Sequence, residues 1–372
     1  MFAFMDTKTQ FMGLDLDSPV IAGGCGLTAD VANLRRLEEM GAGAVVLEPV
    51  MEEEIMCDIR RNTRRPSLSY GDSFEYACRY VEEDRLSRFF DLVREAKRCL
   101  RIPVIGSINC FSYDNWLTYA RRFEEAGCDA LELNMELYPL EVTLSTDDVE
   151  RAFTNVIQSL KKSVTIPIGV KISPYFTDLA KTAQQLSWMG LGAVSIFNKP
   201  MLFDVNIDEE KMVNSEMVNS EVVNGEVVNG ELTNHCASHN SQFTIHNSQK
   251  YNEEGELYNV LGWTAVLSKK MRCDLSATTG VRDAEDVVKL LLAGAKTVQV
   301  SSCLYRNGID YMGRLNEGLR EWMAKRGYEH IDDFRGKLAL KSNDNVSMML
   351  RTETLKMLRV KSKTMDESVN KV

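Results

Sequence analysis

The chain has 372 residues, 44% of them apolar, which suits one large α/β domain or two ordinary ones with a sizeable core. A net charge of −10 argues against a general nucleic-acid or anionic-membrane surface. Nine dispersed cysteines, none in a Cys-x-x-Cys pair, give no zinc or iron–sulfur framework and fit reduced thiols in the cytoplasm.

The first residues lack a cationic region followed by a long apolar run, so no signal peptide is expected. No apolar segment reaches the roughly 18 residues of a membrane span, so no membrane partner is expected either. Eight strands are predicted, near residues 20, 45, 104, 131, 168, 194, 275 and 298, and two marks alternate along them. The first, third and fifth open on a proline, in SPVIAGG from Ser18, IPVIGSIN from Ile102 and IPIGVKIS from Ile166; the seventh, CDLSATTG from Cys273, lacks it. The others follow a glycine helix stop, in GAGAVVLEP from Gly41, GCDALELNM from Gly127, GLGAVSIFN from Gly190 and GAKTVQVSS from Gly294.

Amphipathic stretches such as LRRLEEM and YARRFEEA lie between most strands. Eight β/α units with a quasi-repeat of two predict a (β/α)8 TIM barrel of class α/β, over residues 1–340. A doubly wound sheet is the alternative, but GGCG from Gly23 is not its glycine fingerprint.

Two connections are long. Residues 49–101 hold a polar, basic and aromatic loop after the second strand. After the sixth, a five-residue unit repeats as MVNSE, MVNSE, VVNGE, VVNGE and LTNHC, and its composition predicts a disordered insertion over 204–260. His235, His239 and His246 follow the repeat, with nothing helical to gather a metal, so none is expected. Residues 341–372 read as a charged tail.

The last βα unit, Leu275–Ser302, runs strand, glycine turn, helix, glycine, strand. Asp283 is placed to cap the helix, with Glu285 and Asp286 in its first turn. Phosphate often binds after the seventh and eighth strands of such barrels, and chemistry gathers at the strand C-termini. Those ends carry Ala22, Gly23 and Gly24, then Glu48, Asn109, Asn134, Lys171 and Asn198, then Thr278, Thr279 and Gly280, and finally Ser301 and Ser302. Small residues let a flat ring approach the backbone, and asparagines suit the amide edges of a pyrimidine-like ring. A lysine there would stabilise a developing negative charge.

SPVIAGG, GAGAVVLEP, IPVIGSINC, AGCDALELN, IGVKISPYFTDL, VSIFN, TTGVRDAEDVVKLLLAGAKTVQVSS and YEHIDDFRG together resemble the dihydroorotate dehydrogenase family, and most closely its dihydroorotate dehydrogenase-like bacterial flavoproteins. The resemblance implies FMN in the barrel and oxidation of dihydroorotate to orotate, a step of pyrimidine biosynthesis. It implies Ala22 and Gly23 against the flavin, Asn109 and Asn134 at flavin and substrate, Lys171 beside the flavin and Asn198 on the substrate side. Gly280, Val281, Ser301 and Ser302 would cradle the FMN phosphate. A homodimer is implied in the same way.

Two departures stand out. The family's Cys or Ser base after the fourth strand is missing: Leu137 or Tyr138 holds its place, depending on the anchor, which leaves Tyr138 and Glu136 as candidates. The family's lysine after the second strand is Glu48, a reversal of charge. The expected activity is therefore an FMN-dependent dehydrogenation of a small molecule, with the substrate open. A non-catalytic flavin-binding protein and a phosphate-binding barrel aldolase using Lys171 are the alternatives.

Overall fold

The structure, a computed structural model, describes residues 5–63, 72–135, 145–198, 203–206, 210–214 and 253–341, with a few positions beyond. The elements are β1 (Thr9–Phe11), β2 (Leu14–Leu16), β3 (Val20–Ala22), α1 (Val31–Glu39), β4 (Val45–Val46), β5 (Val50–Met51), α2 (Glu52–Thr63), α3 (Asp72–Cys99), β6 (Val104–Asn109), α4 (Tyr113–Ala126), β7 (Ala130–Met135) and α5 (Thr146–Ser163). Then follow β8 (Ile168–Ile172), α6 (Leu179–Trp188), β9 (Ala193–Ile196), β10 (Phe203–Asn206), β11 (Lys211–Asn214), α7 (Glu253–Leu267), β12 (Asp274–Thr278), α8 (Ala284–Ala293), β13 (Thr297–Val300), α9 (Ser302–Asn307) and α10 (Tyr311–Arg326).

Strands β3, β4, β6, β7, β8, β9, β12 and β13 pair in parallel in that order, and β13 pairs back onto β3. The ring is closed, so the eight strands predicted from sequence form a TIM barrel and not an open doubly wound sheet. Parallel strands covered on both faces are buried along their length, and every residue of β6, β7 and β8 is buried.

The period of two along each strand sorts the core into two clusters. Val20, Ala22, Leu131, Leu133, Val170, Val298 and Val300 pack outward with the helices. Ile21, Ala44, Val46, Ile105, Ala130 and Ala193 form a separate inner cluster. The β1–β2 hairpin joins that inner cluster through Phe11, Met12 and Leu16, and so closes one end of the barrel. Burying three such side chains is worth on the order of 5–9 kcal/mol before chain entropy, so the hairpin is part of the core. Its two-residue turn uses Met12 at φ 55° and Gly13 at φ 80°. Gly169 and Gly192 leave room for Met12: a Cβ at either would stand 3.2 Å from its side chain.

A carboxylate repeat underlies the alternating sequence marks. Glu38, at the end of α1, accepts the backbone N–H groups of Arg101 and Ile102 at 2.6 and 3.1 Å. Glu124, at the equivalent place in α4, accepts those of Thr165 and Ile166 at 2.7 and 3.2 Å. Each acid stands three residues before a helix-stopping glycine, Gly41 or Gly127, and pins the chain just ahead of a strand-opening proline. Ser187 keeps the pattern in α6, accepting Arg272 N–H at 3.2 Å ahead of β12.

The stretch read as a disordered insertion, 204–260, contains short described elements. Phe203–Asn206 pairs antiparallel with Lys211–Asn214, and α7 begins at Glu253. The reason for α7 is its apolar spacing: Leu257, Val260, Thr264 and Leu267 are all buried. Most of the five-residue repeat, with His235, His239 and His246, lies outside the described residues. Seven described cysteines are free. Among the described residues no helix is long and apolar enough to cross a membrane.

Candidate functional site

A cleft opens at the C-terminal ends of the strands. Lys171, Asn198, Gly280, Val281, Ser301 and Ser302, all singled out in the sequence, line it together. They come from β8, the segments after β9 and β12, and the end of β13, so the barrel brings them together from across some 130 residues, as 171 to 302.

The turn after β12 forms one wall. Thr279 and Gly280 are both left-handed, at φ 82° and 77°. That conformation is easy for glycine and uncommon for a β-branched residue. Thr279 is held by its hydroxyl, which donates to the Phe197 carbonyl at 2.8 Å. Asp283 caps α8 as the sequence predicts, accepting Asp286 N–H at 3.0 Å.

The other predicted residues sit around the cleft. Asn134 accepts a hydrogen bond from Asn198 at 2.7 Å, which fixes both side chains. Asn109 ends β6, is 7% exposed, and pairs in register with Met51. Ala22 belongs to the outward-packed core, so only its backbone is offered to the strand ends. Gly23 is backed by Ser301, whose hydroxyl a Cβ would meet at 2.7 Å, and the next residue, Gly24, lines the cleft. Tyr138 and Glu136, the candidate bases, lie outside the described residues.

Sequence reasoning missed the layer below. Lys171 Nζ donates to Glu132 Oε1 at 3.2 Å and to Gln299 Oε1 at 3.1 Å. Glu132 Oε2 accepts from the Ser195 hydroxyl at 2.8 Å and from Gln299 Nε2 at 2.6 Å. All four side chains are buried. The period of two was the available signal: Glu132 stands two residues before Asn134, and Gln299 two before Ser301, on the same faces of their strands.

Two further groups at this end of the barrel have structural roles. Glu52, 2% exposed, accepts from the N–H groups of Phe111 and Ser112 at 2.9 and 2.8 Å, from Asn115 Nδ2 at 2.7 Å, and from the Ser112 hydroxyl. It holds the start of α4, where Ser112 makes no capping bond of its own. Cys25 lies against Ser301 and Tyr305, and burial pushes its thiol up despite hydrogen bonds from both, which keeps it a neutral thiol. Among the described residues no cluster of three or more His, Cys, Asp or Glu could hold a metal.

No family model matches the chain. Over 339 residues it is 23% identical to the dihydroorotate dehydrogenase B (NAD(+)) catalytic subunit of Thermoplasma acidophilum, a match covering 89% of this chain and 98% of that protein. The corresponding subunit of Pyrococcus furiosus is 22% identical over 343 residues, covering 89% and 98%. The dihydroorotate dehydrogenase (fumarate) of Lachancea kluyveri is 27% identical over 246 residues, covering 63% of this chain and 68% of that one.

Proposed function

From the premise that the chain is a distant homologue of the dihydroorotate dehydrogenases and belongs with them at the level of the family, we propose that it is an FMN-dependent oxidoreductase that dehydrogenates a small cyclic substrate. The observation that carries this reading is the single cleft in which Lys171, Asn198, Gly280, Val281, Ser301 and Ser302 meet. The donor chemistry fits the cofactor. Two hydroxyls, a left-handed backbone turn and the end of β13 suit a phosphate, and a buried lysine lies on the same cleft for the ring.

Gly280, Val281, Ser301 and Ser302 would hold the phosphate. Ala22 and Gly23 would offer backbone to the ring, with Asn109 and Lys171 at its polar edge. The Asn134–Asn198 pair would present a carbonyl and an amide to the substrate. FMN, when bound, supplies a two-electron acceptor for a substrate carbon–hydrogen bond. Lys171 orients and supports charge, fixed by Glu132 and Gln299. Tyr138 or Glu136 would take the substrate proton, a tyrosine needing its usual value near 10 lowered to do so.

The aldolase reading is weakened by the same geometry. A Schiff-base amine must offer a lone pair to a carbonyl, whereas Lys171 Nζ already donates to Glu132 and Gln299.

The test is the visible absorption spectrum of the purified protein, followed by anaerobic dihydroorotate. A flavin spectrum supports the cofactor assignment, and bleaching would extend it to dihydroorotate. A colourless protein that fails to take up added FMN would overturn the reading.

A further inference from the structure

Two buried charges meet beneath the cleft and are committed to each other. Lys171 is the one cation among the described residues that line the cleft. On the paired strands β7 and β8, Lys171 stands opposite Asn134 and Glu132 opposite Gly169, so Glu132 lies one rung deeper in the barrel. The side chains of Lys171 and Glu132 are 10% and 5% exposed. Gln299 bridges them, accepting from Lys171 through Oε1 and donating to Glu132 through Nε2, while Ser195 donates to the same Glu132 oxygen. A charge in such an interior is costly unless it is paired, so each side chain holds the other in place.

An ammonium has three N–H donors. Glu132 and Gln299 take two of those on Lys171, at 3.2 and 3.1 Å, which leaves one for the cleft. The cleft therefore meets the positive end of an ion pair, with a carboxylate behind it, and not a full unit charge. The potential of such a pair falls off faster with distance than that of a lone cation. A flavin ring takes on negative charge when it is reduced, and a cation at its edge favours that state. A carboxylate within a few ångström of that cation opposes it.

We propose that Glu132 sets the reduction potential of the bound flavin: by partly cancelling the charge of Lys171, it keeps that potential low and makes the reduced ring a stronger electron donor. Glu132 is a positioning residue, acting only through Lys171. Its effect is one of charge and not of how the ring is seated. The inference rests on the functional reading above, which puts Lys171 at the polar edge of the ring.

FMN uptake is measured first, by flavin fluorescence, and the potential of the bound flavin is then read against a dye of known potential. Glu132→Gln removes the charge and keeps the shape. It is expected to favour reduced over oxidised FMN by about tenfold more than the native protein does, a rise of about 30 mV for a two-electron couple. Glu132→Asp keeps the charge and is expected to shift the potential less than Glu132→Gln. A protein that takes up no FMN overturns the functional reading and this inference with it. FMN uptake with a change below about threefold in Glu132→Gln, or with a fall in potential, overturns this inference alone. So does a Glu132→Asp variant that shifts as far as Glu132→Gln. Should Glu132→Gln fail to fold or to take up FMN, the native protein decides. A bound flavin no easier to reduce than free FMN then supports the proposal, and one easier to reduce overturns it.

Discussion

Thr279 shows what a single strained residue contributes. It occupies a left-handed conformation at φ 82°, and its hydroxyl donates to Phe197. Thr279→Ala keeps the strain and loses the bond, so it is expected to cost about 1 kcal/mol. Thr279→Gly loses the same bond but relieves about 1 kcal/mol of strain, which leaves stability nearly unchanged. Urea unfolding of the two variants decides the matter, and equal stabilities would refute the strain. Asp286 offers a second case. Its side chain is 0% exposed and accepts from Lys289 at 2.8 Å and from Arg282 at 3.2 Å. Burial alone would raise its carboxyl, but the bonds from Lys289 and Arg282 outweigh burial and hold it below its usual value. A depressed acid stabilises the fold fully above the ordinary carboxylate value near 4, and that contribution is lost as pH falls through the folded value. Asp286→Asn should cost about 1–3 kcal/mol at pH 7, towards the low end because both partners are partly exposed and rehydrate. It should also flatten the stability–pH curve below about pH 4. Sequence showed where Lys171 and Asn134 stand because strand ends are conspicuous beside glycines. It did not show Glu132 or Gln299, which look like ordinary mid-strand residues until the barrel closes and brings β7, β8 and β13 around one lysine.

Among whole elements, the ones easiest to read in the sequence were those with a repeated cause. The glycine stops and strand-opening prolines recur because Glu38 and Glu124 do the same work at two places along the chain, each binding two N–H groups ahead of a strand. The hairpin β1–β2 was not read, because three-residue strands around a Met-Gly turn carry too little pattern. Helix α7 was hidden by the polar repeat next to it. At the mouth of the barrel, the start of α4 depends on Glu52, a side chain from another element. Glu52→Gln puts an amide donor where backbone N–H groups need an acceptor, and is expected to cost about 1–3 kcal/mol. Hydrogen exchange would report it locally, as faster exchange at Phe111 and Ser112. Unchanged protection there would show that α4 starts without help from Glu52.

For the molecule as a whole, closure was legible and its lower seal was not. Eight alternating strands predicted a ring, and β13 on β3 completes it. The seal depends on Met12, 5% exposed, packed where Gly169 and Gly192 leave space. Met12→Ala empties that space and is expected to cost about 2–5 kcal/mol by thermal or urea unfolding. A loss below about 1 kcal/mol would mean that the inner cluster closes without it.

The hairpin has a consequence in time. Met12 N–H donates at 2.8 Å to the Asp274 carboxylate, 262 positions later in the chain. At about 5–20 residues per second of synthesis, a hairpin made first waits roughly 13–50 seconds for its counterpart. Until then Phe11, Met12 and Leu16 have no barrel to enter, and the nascent protein travels with an apolar tip exposed. Stalled chains that end before Asp274 should be cut by protease in that tip, and early protection would show that something else shelters it. In the cell, this places the greatest need for a chaperone at the beginning of the chain and relieves it only when the last strands emerge.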